Sequence, residues 1–194
     1  MKKVVVFCGS STGFNPVYRE AAIELGNYFA RHAIGLVYGG GKIGMMGIIA
    51  DTILGRKGEV IGIIPELLKK EEVVHGALSE LIVTKTMSDR KVRMSQITEG
   101  YITLPGGFGT LDELFEVLTL NQLHIEQKPI GLLNVNGFFD HAIKQLDVMV
   151  LEGYLKQENR DLLLIDASID GLIQQMKSYK APKKKHVIDK VVRK

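Results

Sequence analysis

Short apolar runs and amphipathic stretches alternate along nearly the whole chain. Seven short runs mostly lack the period-two alternation of a half-exposed strand, which predicts a parallel sheet covered on both faces. Apolar residues at helical spacing fill the stretches between the runs. This alternation predicts an α/β fold with a Rossmann-like, doubly wound parallel sheet and helices on both faces. The predicted strands cover residues 4–8, 35–38, 60–64, 81–83, 100–104, 129–133 and 162–165.

The helix boundaries follow from residues that stabilise helix starts. Asn15-Pro16 predicts an N-cap followed by proline at the first helical position. Ser88 is the predicted N-cap of the helix that carries Arg90 and Lys91, which then fall in its first turn and oppose the helix dipole. The two cations either tolerate a small surface cost or hold an anion. Helices are predicted over residues 15–32, 45–54, 88–98, 110–124, 138–152 and 169–179, and residues 66–80 are predicted to be irregular or a short helix.

Three glycine-rich loops, 9–13, 39–44 and 106–109, each follow a predicted strand. Ligands of doubly wound folds bind beyond the carboxyl ends of the strands, so these loops mark the expected ligand side. The middle loop, Gly39-x-Gly41-x-x-Gly44, matches the dinucleotide fingerprint but follows the second strand rather than the first. An NAD-dependent oxidoreductase is therefore a weaker alternative.

The stretch from Pro105 to Glu113 joins a buried strand to a helix through a glycine-rich turn. Free N–H groups and the helix dipole at such a turn suit an anion such as phosphate. The alternative is a plain turn closed by a capping box between Thr110 and Glu113. A carboxylate such as Glu113 would repel a bound sugar phosphate, but it could orient water or stabilise an oxocarbenium-like centre.

Composition excludes several classes of protein. No apolar run approaches the roughly 20 residues of a membrane helix, and the single cysteine, Cys8, suits a reducing cytoplasm. The histidines show no metal-ligand spacing, and no basic–aromatic pattern suggests nucleic-acid binding. We therefore expect a cytoplasmic protein without a metal, a membrane partner or a nucleic-acid partner.

Length and charge predict one domain and a tail. Residues 1–179 are long enough for one α/β domain. From residue 180 onward the chain has seven Lys or Arg against one Asp, a local charge of +6. The total of +3 leaves −3 for residues 1–179. Residues 180–194 are predicted to be a basic, disordered tail.

The combined motifs resemble the LOG (Lonely Guy) family, also labelled lysine decarboxylase-like. The resemblance covers about residues 3–178. It is carried by Pro-Gly-Gly-x-Gly-Thr-x-x-Glu at 105–113 and by the Arg-Lys pair after a methionine at 87–91, together with the loops at 8–11 and 38–41 and the segments 62–65, 72–75 and 129–137.

The resemblance implies a phosphoribohydrolase that cleaves cytokinin riboside 5′-monophosphates, and often AMP, to free base and ribose 5-phosphate. It implies a homodimer or larger homo-oligomer with the site near the contact, and no cofactor. Glu113 is implied as the catalytic carboxylate and Arg90 as its partner. The implied substrate-binding residues are Gly9, Ser10, Gly40, Gly41, Glu72, Lys91, Gly107, Phe108, Gly109, Thr110, Leu111, Asp112 and Thr119.

The chain also departs from the family pattern. Ser88-Asp89 stands where many relatives have His-Glu or His-Gln, and Leu120-Asn121 where they often have Trp-Ala. These changes leave base preference and oligomer packing open. No lysine has a recognisable pyridoxal-phosphate context, so nothing supports decarboxylation. The main alternative is a non-catalytic carrier or sensor of a nucleotide or pterin-type cofactor on the same fold.

Overall fold

The seven strands form one parallel sheet. The computed structural model describes residues 1–69 and 74–182, so Glu72 and most of the predicted tail lie outside the described residues. The sheet order is β4-β3-β2-β1-β5-β6-β7, which confirms the predicted fold class. The strands are β1 (Lys3–Phe7), β2 (Gly35–Tyr38), β3 (Val60–Pro65), β4 (Glu80–Thr84), β5 (Tyr101–Thr103), β6 (Ile130–Leu133) and β7 (Leu163–Asp166).

Helices cover both faces of the sheet, because most strands are apolar on both sides. The edge strand β4 is the exception, since Leu81 and Val83 are exposed. They are α1 (Pro16–Arg31), α2 (Gly44–Leu54), α3 (Glu66–Lys69), α4 (Met87–Ile97), α5 (Phe108–Gln122), α6 (Asp140–Leu151), α7 (Gln157–Arg160) and α8 (Ile169–Ser178). One core joins the sheet to α1, α2 and α8, and the other joins it to α4, α5 and α6. Within 1–69 and 74–182, no helix is both long and apolar enough to span a bilayer.

The strand order reverses between β1 and β5. From β1 the chain proceeds outward through β2, β3 and β4, and then returns to the other side of β1 with β5. The loops that leave β1 and β5 diverge to opposite faces, and a crevice opens between them. The Gly9 N–H donates to the Pro105 carbonyl at 3.1 Å, and the Met45 N–H donates to the Gly9 carbonyl at 3.1 Å. All three predicted glycine-rich loops therefore meet at this edge.

The starts of α1 and α4 differ in how well the sequence predicted them. Asn15 caps α1 as predicted, because its side-chain oxygen accepts from the Val17 N–H at 3.1 Å. The prediction that Ser88 caps α4 is wrong, since Thr86 is the N-cap and accepts from the Asp89 N–H at 3.0 Å. The Asp89 carboxylate accepts in return from the Thr86 N–H at 3.2 Å. This reciprocal box moves the start to Met87, so Lys91 lies in the second turn.

Helix α5 also begins earlier than predicted. Its N-cap is Gly107, whose lack of a side chain leaves the first N–H groups without a side-chain acceptor at that position. The capping-box interpretation of Thr110 and Glu113 is therefore wrong. Thr110 is instead buried within the helix against Gly106, which has no room for a Cβ atom. The start of α5 leaves N–H groups free to bind an external anion.

We predict that Thr86→Ala destabilises the fold by about 1 kcal/mol, because it removes the N-cap acceptor of α4. Ser88→Ala is the matched control and should change the free energy of unfolding by no more than about 0.5 kcal/mol, since Ser88 is exposed. Urea unfolding of both variants measures the two values. A larger loss for Ser88→Ala than for Thr86→Ala would contradict the observed helix start.

Candidate active site

Arg90 and Glu113 form a partly buried ion pair at the carboxyl edge of the sheet. Arg90 lies on α4 and Glu113 on α5, two helices that pack on the same face. The Arg90 Nη2 atom lies 3.3 Å from Glu113 Oε1, and the two side chains are only 11% and 12% exposed. The fold therefore brings the two predicted catalytic residues together.

The backbone of β3 and of the loop that follows β2 fixes the orientation of the Arg90 guanidinium. Its Nε–H donates to the Ile63 carbonyl at 3.0 Å. On another side the guanidinium lies against Gly39, where a Cβ atom would come within 2.5 Å of Nη2. A side chain at position 39 would displace Arg90, so the glycine is required for this close approach. Sequence reasoning identified the loop but not this role of Gly39.

The charges around Glu113 compete. Burial raises the pKa of the Glu113 carboxyl above its ordinary value, and the positive charges of Arg90 and Lys91 offset only part of that rise. The carboxylates of Asp112 and Glu116 raise the pKa further. A poorly solvated carboxylate with a raised pKa is a better proton acceptor than one in water.

Lys91 binds protein carboxylates next to this pair. Its ammonium lies 2.8 Å from Asp112 Oδ2 and also contacts Glu116. Burial lowers the pKa of Lys91, but its hydrogen bonds to these two carboxylates outweigh that effect and raise the pKa above its ordinary value. Lys91 and Asp112 are thus paired with each other, and their implied substrate contacts stay predictions.

The start of α5 and the loop that follows β1 (residues 9–13, the β1 loop) border a cavity of about 300 Å³. Gly107, Phe108 and Gly109 are exposed there, at the end of the helix where N–H groups lack acceptors. Leu111, in contrast, packs against the core. The cavity is lined by Gly9, Ser10, Ser11, Thr12, Gly13, Tyr18, Met45, Pro105, Gly106, Gly107 and Phe138. Tyr18 and Phe138 have no signal in the sequence that could have found them.

A histidine fastens the loop that contains Gly40 and Gly41. The backbone N–H of His75 donates to the Gly40 carbonyl at 3.0 Å, and Val74 forms an antiparallel β-bridge with Gly41. The His75 Nδ1 accepts from the Ala77 N–H at 3.2 Å, which leaves Nε2–H to donate to Asp51 at 3.0 Å. These contacts hold the loop beside Gly39 and the Arg90 guanidinium. The sequence showed His75 only as part of a motif and gave no indication of Asp51.

Among the described residues, Thr119 lies apart from the other implied site residues. Thr119 lines a separate groove of about 140 Å³ along α5, α6 and α7, and its hydroxyl donates to the Phe115 carbonyl at 2.7 Å. Glu72 lies outside the described residues. Their contact with a substrate stays a prediction.

Cys8 does not have the surroundings of a nucleophile. It is buried at the end of β1. Burial raises the pKa of its thiol far above the ordinary value, and the negative charge of Glu113 adds to the rise. A neutral thiol in this position is a small apolar residue of the core, as the sequence predicted.

Known proteins resemble this chain along most of its length. A family model described as "Possible lysine decarboxylase" matches residues 46–176. The cytokinin riboside 5′-monophosphate phosphoribohydrolase LOG1 of Arabidopsis thaliana is 40% identical over 92% of this chain and 84% of the relative. The enzyme named LOG from Oryza sativa subsp. japonica is 38% identical over 92% of this chain and 74% of the relative.

Solved structures share the fold. A molybdenum cofactor binding protein from Rippkaea orientalis superposes with a TM-score of 0.68 and 25% identity, over 92% of this chain and 97% of its own. The molybdenum cofactor carrier protein from Chlamydomonas reinhardtii gives a TM-score of 0.67 at 21% identity, over 90% and 95% of the two chains.

The raised pKa of Glu113 predicts how Glu113→Gln changes stability with pH. The folded protein retains the Glu113 proton to higher pH than the unfolded chain, in which glutamate titrates near 4.3. The wild type therefore loses stability as pH rises from that value through the raised pKa, and the variant escapes this loss. We expect the variant-minus-wild-type free energy of unfolding to rise across this window. Urea unfolding from about pH 4 to about pH 8 tests the slope. A difference that falls with pH would contradict it.

Proposed function

The chain belongs to the LOG family, and from that premise we propose that it hydrolyses the N-glycosidic bond of purine nucleoside 5′-monophosphates. The products are the free base and ribose 5-phosphate. The observation that carries the proposal is the partly buried Arg90–Glu113 pair beside the open start of α5. A cation–carboxylate pair next to an anion site provides the two kinds of charge that glycosidic cleavage uses.

The start of α5 is the proposed phosphate site. Its free N–H groups and the positive end of the helix dipole favour an anion, and Gly107 and Gly109 allow close approach to the backbone. The β1 loop with Gly9 and Ser10 forms the facing wall of the crevice. Gly40 and Gly41 belong to the remaining glycine-rich loop, residues 39–44, at the same edge. We therefore place the ribose and base between these three loops.

The proposed chemistry needs Glu113 in its ionised form. As the bond from the ribose C1′ to N9 of the base breaks, the electron pair leaves with the base and positive charge develops on the ribose. The Glu113 carboxylate stabilises that charge or orients the water that adds to C1′, and it accepts the proton of that water. A proton is added to the departing base in the same overall reaction, so that the base is released in its neutral form. Arg90 positions the substrate, helps the base leave and keeps the carboxylate ionised.

The proposed substrates are cytokinin riboside 5′-monophosphates, AMP or both. The relatives named phosphoribohydrolases support the first class. The resemblance of the motif at residues 105–113 supports both, because its backbone donors recognise the phosphate and not the base. We further propose that the reaction takes place in the cytoplasm and requires no metal or organic cofactor.

A carrier of a pterin-type cofactor is the second candidate. The fold likeness to the molybdenum cofactor binding protein of R. orientalis favours it. Glu113 argues against it, since a carboxylate beside a bound anion lowers affinity through repulsion. A carrier returns its ligand unchanged, so the products separate the two candidates.

We also propose a homodimer or larger homo-oligomer. Phe115 on α5 is exposed and borders the groove that contains Thr119, and Leu118 and Met149 give that groove an apolar lining. A second copy of the chain on this surface would cover Phe115. It would also bring its own substrate site close to Thr119. This arrangement would account for the implied substrate contact of Thr119.

We predict that Glu113→Gln lowers turnover by at least about 100-fold, because glutamine cannot accept a proton or balance positive charge on the ribose. The assay is chromatography of base and ribose 5-phosphate after incubation with AMP and with isopentenyladenosine monophosphate. The matched control is Glu152→Gln, which changes an exposed residue just beyond the end of α6, at the opposite edge of the sheet.

Near-normal release of base by Glu113→Gln would refute the catalytic role of Glu113. Nucleotides that the wild type binds but leaves intact would refute the hydrolase and support the carrier. The ratio of the rates with AMP and the prenylated nucleotide ranks the two proposed substrates.

For the quaternary structure, we expect light scattering after gel filtration to give at least about twice the 21.5 kDa of one chain. Phe115→Glu should shift the protein toward the single-chain mass, because a charge in an apolar contact is costly to bury. A wild type that stays at 21.5 kDa at assay concentration would contradict the proposed oligomer.

A further inference from the structure

Lys91 joins α4 to α5 directly beside the proposed catalytic pair. Arg90 pairs with Glu113, and the next residue on α4 pairs with the carboxylates on either side of Glu113 along α5. Asp112 and Glu116 are four residues apart and therefore lie on the same side of the helix, one turn from each other. The Lys91 ammonium spans that turn.

Lys91 and two of these carboxylates also line one small cavity beside the pair. Lys91, Glu113 and Glu116 line a small cavity of about 10 Å³ together with Phe7, Met94 and Tyr101. The rings of Phe7 and Tyr101 stack with their centroids 5.7 Å apart and form the aromatic side of this cavity. The Lys91 side chain is only 22% exposed. Protein therefore surrounds much of the Lys91 side chain. Because protein screens charges less than water does, its charge acts on Glu113 more strongly than it would in water.

We propose that Lys91 is a positioning residue that acts through Glu113. Its ammonium holds α5 against α4 so that Arg90 meets Glu113, and it neutralises Asp112 and Glu116 so that Glu113 can ionise. This inference rests on the proposed hydrolase function for its effect on turnover, but its effect on Glu113 can be measured without turnover.

The charged and titratable groups around Glu113 come from α4, α5, β5 and the end of β1, and the β5 group is Tyr101, which lines the same small cavity as Glu113. Arg90 and Lys91 on α4 favour its ionised form, and Asp112 and Glu116 on α5 oppose it. Cys8, at the end of β1, also interacts with it. Without Lys91, Asp112 and Glu116 would keep their negative charges beside Glu113, and only Arg90 would remain to balance three carboxylates. Removal of the Glu116 charge would act in the opposite direction.

The test is a ¹³C NMR titration of the Glu113 carboxyl, with its signal identified by its loss in Glu113→Gln. We expect the midpoint to rise in Lys91→Met, to fall in Glu116→Gln and to return close to the wild-type value in the double variant. Lys91→Arg retains the cation and should keep the wild-type midpoint. Lys177→Met, an exposed lysine near the end of α8 on the opposite face, should change nothing.

Steady-state kinetics with AMP then separate positioning from binding. Lys91→Met should lower kcat by about tenfold or more with KM within about threefold, and it should move the acid limb of the pH profile upward. A tenfold rise in KM at unchanged kcat would overturn the proposal in favour of a substrate ligand. A Glu113 midpoint that does not move in Lys91→Met would also overturn it. If the midpoints shift as expected but the wild type releases no base, the charge-balancing role stands and the hydrolase proposal fails.

Discussion

The ion pair between Arg90 and Glu113 is the interaction on which the site depends. Partial burial of two opposite charges costs several kcal/mol per ion unless each retains good partners. Arg90 has a second partner in the Ile63 carbonyl, and the absence of a side chain at Gly39 leaves room for its guanidinium. Both residues stand near the first turns of neighbouring helices, because α4 and α5 start at the same edge of the sheet. Parallel topology thus places the charges, and glycine gives them room.

The strands were predictable because a short, continuous apolar run directly indicates a strand of a sheet that is covered on both faces. Helix starts were predictable only where one local contact decides them, as at Asn15. At α4 two candidate caps stood close together, and the reciprocal bonds between Thr86 and Asp89 decided the start. At α5 the decisive contact is the packing of Thr110 against Gly106, which depends on how the loop turns back on the sheet. Local residue preference could not show that contact.

The location of the site was predictable and its pairings were not. Loops after parallel strands must meet at one edge, so the three glycine-rich loops could be placed together from their order alone. The pairing of Arg90 with Glu113 depends on the packing of two helices, which hydrophobic spacing does not encode. It came from the family resemblance. The contacts of His75 with Asp51 and of Lys91 with Asp112 and Glu116 likewise needed the packed structure.

One scaffold serves both the hydrolases and the cofactor carriers that this chain resembles, so the fold cannot decide between them. The charges bear on the question directly. A carrier gains affinity from each cation near its anionic ligand and loses affinity from each carboxylate. This chain instead places Asp112, Glu113 and Glu116 on the second and third turns of α5, against Arg90 and Lys91. Three carboxylates against two cations leave one net negative charge, which weakens binding of an anionic ligand. This balance favours the hydrolase that we propose, because a net negative charge stabilises positive charge that develops in a transition state, and such interactions raise the rate.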